Sequence, residues 1–99
     1  MGNDPVEVDS KHYKVEFENE QVRVLRITYG PGEMSEMHAH PNGVGIFLTN
    51  GKARFHFEDG TSEDMSWKAG DAAWFPAVSH NPENLGDGPI ELIEVELKS

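Results

Sequence analysis

Three histidines carry the chemistry that can be read most directly from this chain. His38 and His40 flank Ala39 in the run Glu36-Met37-His38-Ala39-His40. In an extended strand, residues two apart point to the same face. Two imidazoles at that spacing can grip a single metal ion. His80 lies far downstream, just after Trp74-Phe75-Pro76, where a closed sheet would bring it beside the pair. Each feature also has a plain structural reading. An isolated His-x-His pair is as often two polar residues at a strand edge, and His80 taken alone reads as an ordinary polar residue. Glu36 shares the parity of His38 and His40 and is the one candidate catalytic group, as a metal-site carboxylate or a general base on bound water. The competing reading, favoured here, places Glu36 before the strand becomes regular and facing solvent. His12 and His56 are not assigned to a site. His56 is opposite in parity to Phe55 and Phe57, which suits a solvent face, and His12 belongs to the N-terminal stretch.

The elements that must position these side chains are strands. Val15 and Phe17 alternate with Lys14, Glu16 and Glu18, the period of a half-buried strand. Val22, Val24, Leu25, Ile27 and Tyr29 follow. The parity change between Val24 and Leu25 predicts a bulge, or a strand buried on both faces. Val44 to Thr49 reads as a strand ending in Asn50-Gly51, a strong hairpin signal. Phe55 and Phe57 alternate with Arg54 and His56 up to a turn at Asp59-Gly60, and Thr61 to Trp67 returns. Ala72 to Phe75 is a strand that Pro76 ends, since proline cannot donate to a ladder. Ile93, Val95 and Leu97 alternate with Glu94 and Glu96 near the C-terminus. No long helical period survives the Gly and Pro positions. Many short strands with frequent turns predict an all-β sandwich or barrel, with residues 1–12 as an N-terminal arm and 13–99 as the barrel domain.

At 99 residues the chain is long enough for one core. Acidic residues outnumber basic ones 18 to 8, for a net charge of −10. No basic cluster is present to neutralise phosphates, which disfavours nucleic acid and anionic membranes. With no Cys, thiolate ligands, Cys nucleophiles and disulfides are excluded. No apolar run is long enough to span a bilayer as a helix, and the start of the chain lacks the features of a secretory signal. A cytoplasmic location is expected. No G-x-S-x-G, phosphate loop or dinucleotide fingerprint occurs.

In context, the histidines resemble the two motifs of the cupin superfamily. The first motif reads G, five residues, H-x-H, three or four residues, E, six residues, G. Here Gly32 is followed by five residues, then His38 and His40, and Gly51 closes the segment. The second reads G, five residues, P-x-G, two residues, H, three residues, N. Here Gly70 is followed by five residues and Pro76, and His80 by three residues and Asn84. The motif Glu falls on Val44, or on Gly45 with the longer spacing. Val78 stands where Gly is usual, with one residue fewer before His80. The resemblance implies a small antiparallel jelly-roll barrel and three metal ligands, His38, His40 and His80, rather than four. It also implies a homodimer, since cupins commonly pair and open sheet edges favour pairing. Asn84 is expected to stabilise a turn, and Gly32, Gly51 and Gly70 to sit in turns.

Three neutral imidazoles around a divalent ion leave a charge of about +2 and open positions, as in catalytic sites. Fe, Mn, Ni, Cu and Zn all suit imidazole to some degree. The expected partner is a small anionic or chelating organic molecule. Similar three-histidine sites occur in thiol and diketone dioxygenases, so a dioxygenase-like enzyme is favoured, with a metal-dependent lyase, isomerase or hydrolase close behind. The alternative is a non-catalytic module that binds a small ligand. If Val44 takes the motif Glu position, then Val44, Ile46 and Leu48 face the barrel interior.

Overall fold

The computed structural model describes residues 4–98. After a one-turn helix α1 (Pro5–Val8), the chain is built from nine strands: β1 (Tyr13–Glu18), β2 (Val22–Tyr29), β3 (His38–His40), β4 (Gly43–Phe47), β5 (Gly51–Phe57), β6 (Ser62–Trp67), β7 (Ala72–Phe75), β8 (Val78–Asn84) and β9 (Ile90–Leu97). They form two antiparallel sheets, a five-stranded one in the order β1-β2-β9-β4-β7 and a four-stranded one in the order β3-β8-β5-β6. From β2 onward every connection except the β5–β6 hairpin crosses from one sheet to the other, which is the jelly-roll arrangement. The first three residues of the expected arm lie outside the described residues. The rest of that stretch packs on the barrel, with Pro5, Asp9 and His12 buried.

The core lies between the sheets. Leu25, Ile27, Tyr29, Ile90 and Leu92 come from the larger sheet, with Phe47 stacked on Trp67 at 4.2 Å between ring centres. Full burial of side chains this size contributes about 1.5–3 kcal/mol each. The Trp67 indole N–H donates to the Thr49 carbonyl (3.0 Å), so its polar edge is satisfied. Trp67 also explains Gly51. A Cβ there would lie 2.6 Å from the indole ring, so the glycine permits a close approach. Its backbone is not left-handed, unlike those of Gly32 and Gly70. Asn50-Gly51 therefore closes no hairpin: β4 pairs with β7 and β9, while β5 pairs with β6 and β8 in the other sheet.

The parity change at Val24/Leu25 marks a strand covered on both faces, with Leu25, Ile27 and Tyr29 inward and Val22 and Val24 half-buried outward, and no bulge in β2 itself. β2 pairs continuously with β9, and the register shift lies on β1, where Val15 opposes Leu25 and Phe17 opposes Val24. The extra residue, Glu16, turns Phe17 outward.

Two strands face opposite to the sequence expectation. In β4 the inward row is Gly43, Gly45 and Phe47, while Val44 is half-buried on the outer face and Ile46 and Leu48 are exposed. In β9 the inward row is Ile90, Leu92, Glu94 and Glu96, all buried. The register ties the two together, with Gly43 opposite Glu96 and Gly45 opposite Glu94. The glycines permit close approaches: a Cβ on Gly43 would lie 2.5 Å from the Val95 carbonyl oxygen, and one on Gly45 2.4 Å from the Phe75 ring.

Candidate metal centre and the carboxylates behind it

β3 and β8 are antiparallel neighbours in which His38 stands directly opposite His80 and His40 opposite Val78. Directly paired residues share a face, and the i, i+2 spacing adds His40 to it. All three imidazoles point inward and are buried. Their ring centres are 4.7–5.2 Å apart, and one nitrogen from each lies within 4.8 Å of the others. The missing residue before His80 is absorbed because β8 begins at Val78. Phe55 stacks on His80 with ring centres 5.4 Å apart.

Hydrogen bonds set the tautomers. His40 donates from Nδ1 to Glu96 Oε2 (2.6 Å), which leaves Nε2 as the basic nitrogen. Glu96 also accepts from Arg23, which forks onto Asp4 at 2.8 and 3.0 Å. A chain Asp4–Arg23–Glu96–His40, half-buried at its outer end and buried at its inner end, thus anchors the imidazole to the N-terminal stretch. His38 donates from Nδ1 to the Glu36 carbonyl (2.8 Å), and its Nε2 accepts from the Tyr13 hydroxyl (3.0 Å). Tyr13 in turn shares a hydrogen bond with Tyr29. His80 Nε2 is buried and has no partner among the described residues. An orphaned nitrogen of this kind costs about 1–3 kcal/mol, and a metal ion held by the three histidines would remove that cost. Burial, reinforced by His40, holds His38 down to about 4. Burial and the two neighbouring histidines hold His80 down to about 2. Both are neutral near pH 7, so no proton need leave before ligation.

Glu36 is exposed and precedes β3. Its carboxylate makes no hydrogen bond among the described residues, and its carbonyl is what reaches the site. His56 is half-buried on the outer side of β5 and pairs with Glu83 (2.9 Å). His12 lies between Asp9 and Glu33. Neither belongs to the cluster. Asn84 is fully enclosed and donates from Nδ2 to the carbonyls of Tyr29, Gly30 and Gly88, while its Oδ1 accepts from Gly86 N–H. It stitches the ends of β2 and β8 to the turn before β9, in the turn role expected of it.

Glu94 and Glu96 are the site residues that the sequence did not reveal. Glu94 Oε2 lies 3.7 Å from His40 Nδ1 and has no hydrogen-bond partner among the described residues. Burial and the neighbouring Glu96 raise its carboxyl to about 7, against the opposing pull of His40. A Glu at position 45 has no room, because a Cβ on Gly45 would lie 2.4 Å from the Phe75 ring. The barrel has thus exchanged a carboxylate on β4 for an aromatic ring, with carboxylates on β9. The only available signal was the longer motif spacing, which places the missing Glu on Gly45 and makes that row the inward one.

A family model described as a cupin domain matches residues 25–96. The chain belongs to the cupin family. Oxalate decarboxylase of Bacillus subtilis (strain 168) is 34% identical to this cupin over 91 residues, covering 88% of the chain. The chain spans only 23% of that relative's length. A cupin domain from Bordetella pertussis Tohama I superposes with a TM-score of 0.80 at 27% identity, covering 88% of this chain and 92% of that one. A double-stranded β-helix protein from Klebsiella pneumoniae gives 0.68 at 26% identity, covering 86% and 74%. A structure of the B. subtilis decarboxylase, studied for its Mn(II) centers, gives 0.60 at 27%, covering 78% and 22%.

Proposed function

We propose that this cupin holds one divalent metal ion through His38, His40 and His80 and acts there on a small anionic or chelating organic molecule. The observation that carries this reading is the unpartnered, buried Nε2 of His80, beside two imidazoles whose Nδ1 protons are already committed. A bound divalent ion supplies a Lewis acid with open positions for a ligand. The protein's part is orientation and proton placement. Glu96 and the Glu36 carbonyl hold the ring protons of His40 and His38 on Nδ1. Glu94, the one carboxyl lining the interior cavity, is poised near neutrality to hold or release a proton.

Fe, Mn, Ni, Cu and Zn remain the candidate ions. The open three-imidazole set supports a dioxygenase-like reaction. The similarity to a decarboxylase with Mn(II) centers supports a lyase on the same site. Oxygen uptake by iron-loaded protein with thiols and diketones, and carbon dioxide release from small organic acids by manganese-loaded protein, separate the two. Turnover in one panel is expected. None in either overturns the enzyme reading and leaves a ligand-binding module.

The outer face of the larger sheet supports a homodimer. Phe17, Val24, Val95, Val44 and Trp74 stand opposite one another in a single row across all five strands. Phe17 and Trp74, at its ends, are 53% and 56% exposed. Ile93 and Ile46 make a second row beside it. At strand spacings of about 4.8 Å and a row width of about 7 Å, these rows form an apolar strip of roughly 200–300 Å², which would be the centre of an interface of roughly 800 Å² per partner. A second copy offers a matching apolar face, whereas the rest of this acidic surface repels it. Light scattering is expected to show a dimer that Val95→Lys converts to monomer, and a monomeric parent protein contradicts this assembly.

A further inference from the structure

Two adjoining spaces reach the histidine cluster, sharing Phe55, Phe75, Val78 and His80 in their walls, and they differ in size and chemistry. The interior cavity, lined by His40, His80, Phe47 and Glu94 among others, is about 40 Å³, room for about three water molecules. The second opens where the sheets part, between the edge strands β6 and β7, and is about 400 Å³. That lies within the range of small-molecule pockets, roughly 300–1,000 Å³. Phe55, Phe57, Met65 and Phe75 line it, with His80 at its inner end and Glu63 on its wall. Glu63 stands opposite Phe55 in the β5–β6 register, and Phe55 stacks on His80.

Charge in this vestibule has one sign. Neither space is lined by Lys or Arg among the described residues. Arg54, the nearest arginine in the register, is forked onto Asp64 at 2.8 and 3.1 Å. An anionic group can therefore be neutralised only at the three imidazoles and the ion they would hold. A second carboxylate on the same ligand would face aromatic rings and Glu63.

We infer that the ligand of this site is a monoanionic chelating compound bearing one aryl or branched alkyl group. Its head lies at His38, His40 and His80, and its apolar body lies in the vestibule between β6 and β7. The interior cavity is too small for the body, and the vestibule is too apolar and acidic for a second anion. This narrows the reading given above by naming the ligand class and rests on that reading. It also separates this chain from a preference for a bare dicarboxylate such as the oxalate named in its decarboxylase relative.

Three 2-oxo acids with one shared head test it: pyruvate, phenylpyruvate and 2-oxoglutarate. They are titrated calorimetrically into zinc-loaded protein, where no redox turnover intervenes. Phenylpyruvate is expected to bind at least tenfold tighter than pyruvate, and 2-oxoglutarate no tighter than pyruvate. Glu63→Lys, an exposed change that leaves the core intact, is expected to tighten 2-oxoglutarate at least fivefold while leaving pyruvate within twofold. A smaller advantage for phenylpyruvate, or 2-oxoglutarate as the tightest of the three in the parent protein, overturns the inference. Protein that takes up no zinc overturns the metal reading itself, and protein that takes up zinc without discriminating overturns only the ligand class.

Discussion

Replacing Glu94 by Gln should stabilise the metal-free protein, and by an amount that depends on pH. Glu94 is 5% exposed, and one of its oxygens has no partner. Its carboxyl rises from 4.5 to about 7 on folding. A group whose pKa is raised in the folded state favours the protonated form. Its contribution is complete below the unfolded value of 4.5 and is lost as pH rises through 7. Raising the carboxyl from 4.5 to about 7 corresponds to at most about 3 kcal/mol. For a domain this size, 1 kcal/mol moves Tm by about 4–8 °C. Thermal melts of chelator-treated parent and Glu94→Gln protein should therefore differ by up to about 12–24 °C at pH 8.5, with the variant more stable. At pH 5 the two should lie within about 1 kcal/mol, since the folded carboxyl is then neutral. Other titrating groups are shared and largely cancel. A gap of equal size at both pH values, or a less stable variant at pH 8.5, refutes the reasoning.

Further outcomes follow from the same network. In the Glu94→Gln background, metal-free stability should fall as pH drops below about 6.5, because His38 and His80 bind protons more readily unfolded than at their folded values of about 4 and about 2. Urea midpoints between pH 7.5 and 5 report this, and a flat profile contradicts it. Tyr13→Phe removes the hydroxyl that occupies His38 Nε2 and should tighten metal binding about two- to tenfold, the worth of one net hydrogen bond. Chelator competition measures it, and weaker binding counts against Tyr13 as a competitor. Asn84→Ala leaves three carbonyls without their donor and should cost about 2–3 kcal/mol in denaturant unfolding.

The sequence shows the histidine cluster because its geometry is local or motif-bound. The His38–His40 spacing fixes a shared face whatever the strand does later. His80 follows from the second motif, and its pairing with His38 needs only that β3 and β8 adjoin. The faces of β4 and β9 were not legible in the same way. Alternation gives a strand its period but not the side that turns inward, and β9 hides Glu94 and Glu96 while turning Ile93, Val95 and Leu97 outward. Two facts outside the pattern decide that inversion. Glu96 is buried against Arg23 and His40, and the apolar outer row spans the five-stranded sheet. Asn50-Gly51 misleads for a related reason, since the glycine serves the Trp67 indole and not a hairpin. The parity change at Val24/Leu25 reflects apolar cover on both faces of a regular β2, whereas the bulge lies on β1 and shows only in the pairing.

The central claim is that His38, His40 and His80 hold one metal ion. Elemental analysis of the purified protein, before and after incubation with excess Fe, Mn and Zn, tests it most directly when run beside His80→Ala and His56→Ala. The account predicts about one ion per chain in the parent and in His56→Ala, and loss of that ion in His80→Ala. Parent protein that remains metal-free with every ion, or His80→Ala protein that retains a full equivalent, would contradict it.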